Sequence, residues 1–304
     1  MTKIILYLSL YPIFSFSANA DTSLIKKHLI AITKTFGNRD YSSVDNLNKT
    51  ADYIYEEFKK YADTSWIQEY EVVGQKPKYK NVICSFGLEN KQRIIIGAHY
   101  DVCDIQEGAD DNASGTVGLL ELARLLKAQK LNYRIDLVAY SLEEPPYFRT
   151  DAMGSYIHAK WLSDNKISVA GMICLEMIGY FKEERKTQHY PLGLFKLFYG
   201  GKGNYITLVK KFGSGKFARK FSKTFISVRS IRTKKFSGPK WIQGIDFSDH
   251  LNYWKFGFSA LMITDTSFYR NPNYHEKSDT METLNVARMA NVIDSVFLSL
   301  INIK

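Results

Sequence analysis

Short runs of Ile, Val and Leu alternate along this chain with segments whose apolar residues recur every three or four positions, and that alternation constrains the fold most. Strand character is expected at 66–73, 81–86 and 93–98, the last nearly all Ile and bounded by Gly97. Beyond Asn112, residues Val117, Leu119, Leu122, Ala123 and Leu126 keep helical spacing, and a strand at 135–142 follows. The pattern repeats with a helix at 152–163, a buried strand at 169–175, a strand at 259–264 and a last helix at 286–300. Two amphipathic helices, 23–36 (Ile25, Leu29, Ile32) and 46–61 (Ala51, Ile54, Tyr55, Phe58), come first. Alternation of this kind implies an α/β fold in three layers, a mostly parallel mixed sheet with helices on both faces. The 304 residues, 45% hydrophobic and 14% aromatic with 24% charged, suffice for one large core and exclude a disordered or low-complexity chain. Cys84, Cys103 and Cys174 are too few and too odd in number for a disulfide scaffold, and each reads as a small buried thiol.

The first 20 residues read as a signal peptide. Lys3 supplies the positive start, 4–16 is an apolar run, and Ala18-Asn19-Ala20 has the small-x-small pattern that precedes cleavage. The alternative, a membrane anchor, needs roughly 20 apolar residues, whereas this run is shorter and contains Pro12. Export to the periplasm or medium is the expectation, with residues 21–304 as one domain.

In open parallel sheets, functional groups collect beyond the carboxyl ends of the strands. Here His99-Tyr100-Asp101 follows 93–98, Glu143-Glu144 follows 135–142, and Glu176 closes 169–175. Gly108 to Gly115 (GADDNASG) and Asn271-Pro272-Asn273-Tyr274-His275 add further polar residues. A lone histidine is ordinarily a surface or hydrogen-bonded one, and paired glutamates are ordinarily solvated. Glu176, however, sits inside Met172-Ile173-Cys174-Leu175-Glu176-Met177-Ile178, where a carboxylate requires a cation or a hydrogen-bond network. Imidazoles mixed with carboxylates suit zinc better than calcium or magnesium.

The ordered set GAHYD, GADDNASG, LEEP followed by GS, LEMIGY, SDH and RNPNYH resembles the di-zinc aminopeptidase family that includes secreted bacterial leucine-type aminopeptidases. The resemblance runs over about 94–284, with little from 181–244. It implies a zinc-exopeptidase, phosphorylase/hydrolase-like fold and two zinc ions. His99 and Glu176 would hold one ion, Glu144 and His275 the other, and Asp111, three residues before Ser114, would bridge them. Asp101 matches the family's carboxylate that orients the histidine ring. Asp249 of Ser248-Asp249-His250 matches a motif without an assigned role, and Glu176 stands where the family often has aspartate.

Three carboxylates would offset three of the four charges of two zinc ions, leaving a bridging water polarised towards hydroxide as nucleophile. Glu143, free of metal, would serve as general base and then general acid. Tyr274 would donate to the developing oxyanion, or else pack in the core. Glu143 and Glu176 would hold the free α-amine of a peptide substrate. A glutaminyl cyclase-like transferase, with one zinc and often a tryptophan at the position of Tyr274, and a non-catalytic binding domain of the same fold are the alternatives.

The formal charge of +10 is unevenly spread. Residues 181–240 carry 16 Lys and Arg against Glu183 and Glu184, a local +14, leaving 25 basic against 29 acidic residues elsewhere. This basic insertion interleaves its charges with Phe and Tyr. Either its aromatics pack on the sheet beneath solvated lysines, with an amphipathic helix somewhere in 204–220, or it meets an anionic surface or polymer. No RNP-like or helix-turn-helix signature points to nucleic acid.

Overall fold

The computed structural model describes residues 19–304; the signal-peptide expectation therefore lies, except for Asn19 and Ala20, outside the described residues. Eight strands form one sheet: β1 (Thr64–Tyr70), β2 (Tyr79–Phe86), β3 (Arg93–His99), β4 (Arg134–Tyr140), β5 (Val169–Glu176), β6 (Ile206–Lys211), β7 (Thr233–Gly238) and β8 (Ala260–Thr264). Their order is β1-β2-β4-β3-β5-β8-β6-β7. The central four, β4-β3-β5-β8, are mutually parallel, while β1, β2 and β6 join antiparallel and β7 runs parallel to β6. The chain leaves β3 for β4 on one side and returns across it to β5 on the other, so a crevice opens at the carboxyl ends of these strands.

The central strands are apolar almost throughout because both faces are covered. Ile94, Ile96, Leu137, Ala139, Ile173 and Leu175 point into one layer with α1 (Thr22–Ile30), α2 (Val44–Lys59), α3 (Gly115–Leu126) and the C-terminal α8 (Val286–Asn302). Their neighbours Ile95, Val138, Tyr140, Met172 and Cys174 point into the other, with α4 (Gly154–Asp164) and the short α7 (His250–Lys255). Each fully buried aliphatic side chain contributes about 1.5–3 kcal/mol. Glycine is required at 97 because a Cβ there would lie 2.2 Å from Cε2 of Tyr140, whose hydroxyl is 2.6 Å from that of Tyr253. Asp21 starts α1 by accepting the N–H groups of Ser23 and Leu24.

The basic segment is woven into the sheet rather than appended to it. It supplies the short α5 (Phe195–Tyr199), β6, α6 (Gly215–Val228) and β7. The helix expected within 204–220 is displaced: Thr207-Leu208-Val209 forms the β6 ladder with β8, and the helix begins only at Gly215, past the left-handed turn at Gly213. Branched aliphatics facing an existing sheet edge override a helical reading of the same residues. In α6, Phe217, Phe221 and Phe225 are buried one turn apart while Lys216, Arg219, Lys220 and Lys223 are exposed. Leu194 just before α5, Leu197 and Phe198 on it and Phe212 after β6 remain exposed. Among the described residues no helix is long and apolar enough to cross a membrane.

Candidate metal centre and active site

Four strand exits deliver the polar residues to one place. His99 is the last residue of β3 and Glu176 the last of β5, Glu143 and Glu144 follow β4, and His275 lies on the loop after β8. Asp111 comes from 109–114, a tight turn leading into α3 in which Asp111 and Asn112 leave helical geometry. All the carboxylates among them and His99 are buried; His275 is half-buried. His275 is held in left-handed backbone geometry (φ 59°), which costs a non-glycine residue about 1 kcal/mol or more.

The spacing is that of ligands around shared ions. His99 Nε2 lies 3.5 Å from Asp111 Oδ1 and 3.4 Å from Glu176 Oε2, and His275 Nε2 lies 3.3 Å from Asp111 Oδ2 and 3.1 Å from Glu144 Oε2. Two donors each about 2.1 Å from a tetrahedral zinc ion stand about 3.4 Å apart. Yet Asp111 Oδ2, Glu144 Oε1 and His275 Nε2 are buried atoms with no hydrogen-bond partner. Buried polar atoms left unpaired are costly, and here a divalent cation between them satisfies all three. The residues present thus fit a metal pair.

Protonation behaviour says the same. Burial lifts the carboxyl of Glu144 to about 8 with help from Asp111, and burial also raises Glu143 and Glu176. Burial opposes charge on His275, but Asp111 and Glu144 lift it to about 10, and Glu176 and Glu143 likewise raise His99. For Asp111, burial is outweighed by the two imidazoles, which hold its carboxyl well below the usual range. A site that holds protons in this way would release them on binding a cation.

Around this centre, His99 Nδ1 lies 3.2 Å from the Asp101 backbone carbonyl and 3.4 Å from its Oδ1, while Asp101 Oδ2 accepts the Glu144 N–H, so one residue braces two members of the site. Asp110, beside Asp111, turns away to accept from Gly179 N–H and Asn271 Nδ2. Glu143 Oε2 is 3.9 Å from His99 Nε2. Tyr274 stacks on the His275 ring at 3.8 Å, and burial pushes its phenol pKa far up, keeping it a donor.

Other residues support the centre: Asn112, Ser248 and Asp249 lie in motifs that gave them no role, and Asp279 lies in none. Ser248 donates its hydroxyl to Glu176 Oε2 at 2.7 Å, and Asn112 Nδ2 donates to the same oxygen at 3.2 Å. Asp249 is fully buried, its carboxyl lifted by burial to about 7. Asp279 accepts the N–H groups of Asp110 and Asp111. Cys103 is the correction to the expectation of three buried thiols: Cys84 and Cys174 are buried, but Cys103 is partly exposed at the rim of the centre. Its thiol is pushed up to about 12 by burial, then by Glu144.

Beside the centre lies a cavity of about 240 Å³, reached by Glu143, Glu176 and Tyr274. Its walls are aromatic: Phe148, Tyr190, Phe195, Tyr199, Phe236 and Phe268. Four of these six belong to the basic segment, so 181–240 builds the site's apolar wall as well as the sheet edge.

The uncharacterized protein YfbL of Escherichia coli (strain K12) is 40% identical over 94% of this chain and 90% of its own length. A probable leucine aminopeptidase of Trichophyton verrucosum is 27% identical over 90% of this chain and 71% of that protein. Among solved structures, a leucine aminopeptidase precursor from Bacteroides thetaiotaomicron superposes with a TM-score of 0.70 at 20% identity, covering 94% of this chain and 98% of that one. The glutaminyl cyclase of Tannerella forsythia matches equally, at 0.70 and 21% over 94% and 100%. These two likenesses establish the fold, a single mixed sheet with helices around it. The sequence pattern described as Peptidase family M28 matches residues 81–299, a span that takes in every site residue above, and the chain belongs to that family.

Proposed function

We propose that this protein is a zinc-dependent aminopeptidase. The observation that carries the reading is Asp111, whose two carboxylate oxygens face two separate donor groups, His99 with Glu176 and His275 with Glu144. In this reading His99, Asp111 and Glu176 hold one zinc ion, and Asp111, Glu144 and His275 the other. When bound, zinc would polarise the scissile carbonyl and acidify the attacking water.

The chain's own residues do the rest. Glu143, buried beside the donors yet not needed as one, takes the proton of the attacking water and returns it to the leaving amine. Glu143 and Glu176 border the cavity and receive the cationic α-amine of the substrate. Tyr274, protonated across the working range, donates to the oxyanion. Ser248 and Asn112 fix the Glu176 carboxylate by hydrogen bonds. The aromatic walls exclude water and accept the substrate's first side chain.

Cyclisation of N-terminal glutamine is the second reading, favoured by the equal likeness of the cyclase structure. The test is a panel of aminoacyl amides and a Gln-initiated peptide, with wild type and Glu143→Gln, before and after chelation. Chelator-sensitive release of free amino acids, reduced about 10²- to 10⁴-fold in Glu143→Gln at unchanged metal content, is expected. Pyroglutamyl product without released amino acid would replace the proposal by the second reading.

A further inference from the structure

Cys103 lies on the loop between β3 and the 109–114 turn, four residues beyond His99. Its sulfur, a carboxylate oxygen of Glu144 and a ring nitrogen of His275 all lie within 4.8 Å of one another. The same two partners carry unpaired buried atoms, Glu144 Oε1 and His275 Nε2. The thiol is therefore one corner of a triangle whose other corners already want a cation. Gln106 Nε2 donates to the Cys103 carbonyl at 2.7 Å and pins the loop with the side chain facing the centre.

We propose that Cys103 is a further protein ligand, binding as thiolate to the metal ion held by Glu144 and His275. This rests on the reading above, in which those two residues hold an ion. A tetrahedral zinc ion with sulfur at about 2.3 Å and nitrogen at about 2.0 Å separates the two by about 3.5 Å, within reach from the observed spacing. Binding releases the thiol proton to solvent and forms one metal–sulfur bond, with no change of oxidation state. The two ions then become unlike: the one at His99 has only nitrogen and oxygen donors, and the one at His275 gains a soft donor that favours zinc, cobalt or cadmium over magnesium and manganese. The thiolate also lowers the net charge at that ion, so the His99 ion is left as the stronger Lewis acid.

The experiment replaces the metal with cobalt(II) in full-length wild type, Cys103→Ser and Cys103→Ala. Wild type is expected to show a sulfur-to-cobalt charge-transfer band beside the visible d–d bands, and both variants to keep the d–d bands and lose the charge-transfer band. Thiol titration with a chromogenic disulfide gives a second readout, since Cys84 and Cys174 are fully buried. One thiol should react in stripped protein, and zinc should slow that reaction by about tenfold or more. Cobalt d–d bands in wild type without a charge-transfer band would overturn the assignment while leaving the metal centre intact. Absence of any cobalt binding would overturn the centre itself, and the assignment with it.

Discussion

Replacing Asp279 with alanine tests whether the 109–114 turn is held from outside. Asp279 is fully buried, and its carboxylate accepts the Asp110 N–H at 3.0 and 3.1 Å and the Asp111 N–H at 3.0 Å. Alanine leaves two buried N–H groups without acceptors, each costing about 1–3 kcal/mol, or about 2–6 kcal/mol together. At about 2–4 °C per kcal/mol for a domain approaching this size, metal-free protein should melt at least about 4 °C lower. Because the freed turn carries Asp111, zinc affinity should also fall about 10- to 100-fold, the usual effect of removing a group that orients a ligand. Asparagine, which retains one acceptor oxygen, should fall between alanine and wild type. Thermal melting of stripped protein and chelator competition for zinc read the two effects separately. Unchanged melting and affinity would refute the reasoning; a lower melting point at wild-type affinity would refute the link from Asp279 to Asp111.

His158 is buried in α4 with Nδ1 2.7 Å from the Tyr253 hydroxyl, and burial lowers its pKa to about 4. The unfolded chain takes up its proton near pH 6.5 while the folded protein does not, so stability present above pH 6.5 is lost as pH falls towards 4. In urea melts across that window, His158→Gln should show a dependence weaker by about one proton; an identical slope would contradict the assignment. If the exposed lysines of 181–240 meet an anionic partner, vesicles containing anionic lipid should retain the protein at low salt and release it at high salt, the screening length shrinking from about 10 Å at 0.1 M to about 3 Å at 1 M. Retention indifferent to salt would remove that partner.

Much of the fold was legible because burial on two faces demands what the chain displays. Apart from Arg93 at its start, strands 93–98 and 169–175 are apolar throughout, and both faces of β3 and β5 are covered. Glu176 and Glu143-Glu144 stood out because a carboxylate at the end of such a run needs a cation or a hydrogen-bond network. Periodicity failed at 204–220, where one sheet edge decides between strand and helix and the edge lies on β8, some fifty residues later. It also could not find Asp279, and it gave no role to Cys103 or to Ser248 of the SDH motif. Asp279 and Ser248 reach the centre across 168 and 72 residues of sequence, farther than any local pattern extends. The aromatic wall was hidden for a similar reason: charge dominated the reading of 181–240, and only the packed sheet shows which rings turn towards the crevice.

A zinc titration of chelator-stripped protein measures directly whether the proposed two-ion centre drives aminopeptidase chemistry. Release of the amino acid from an aminoacyl amide would be followed as zinc is added in known ratio to chain. Negligible turnover is expected at zero zinc, rising to a plateau at about two ions per chain, one for each donor group that Asp111 faces. Full turnover by stripped protein, or a rate indifferent to added zinc, would contradict it.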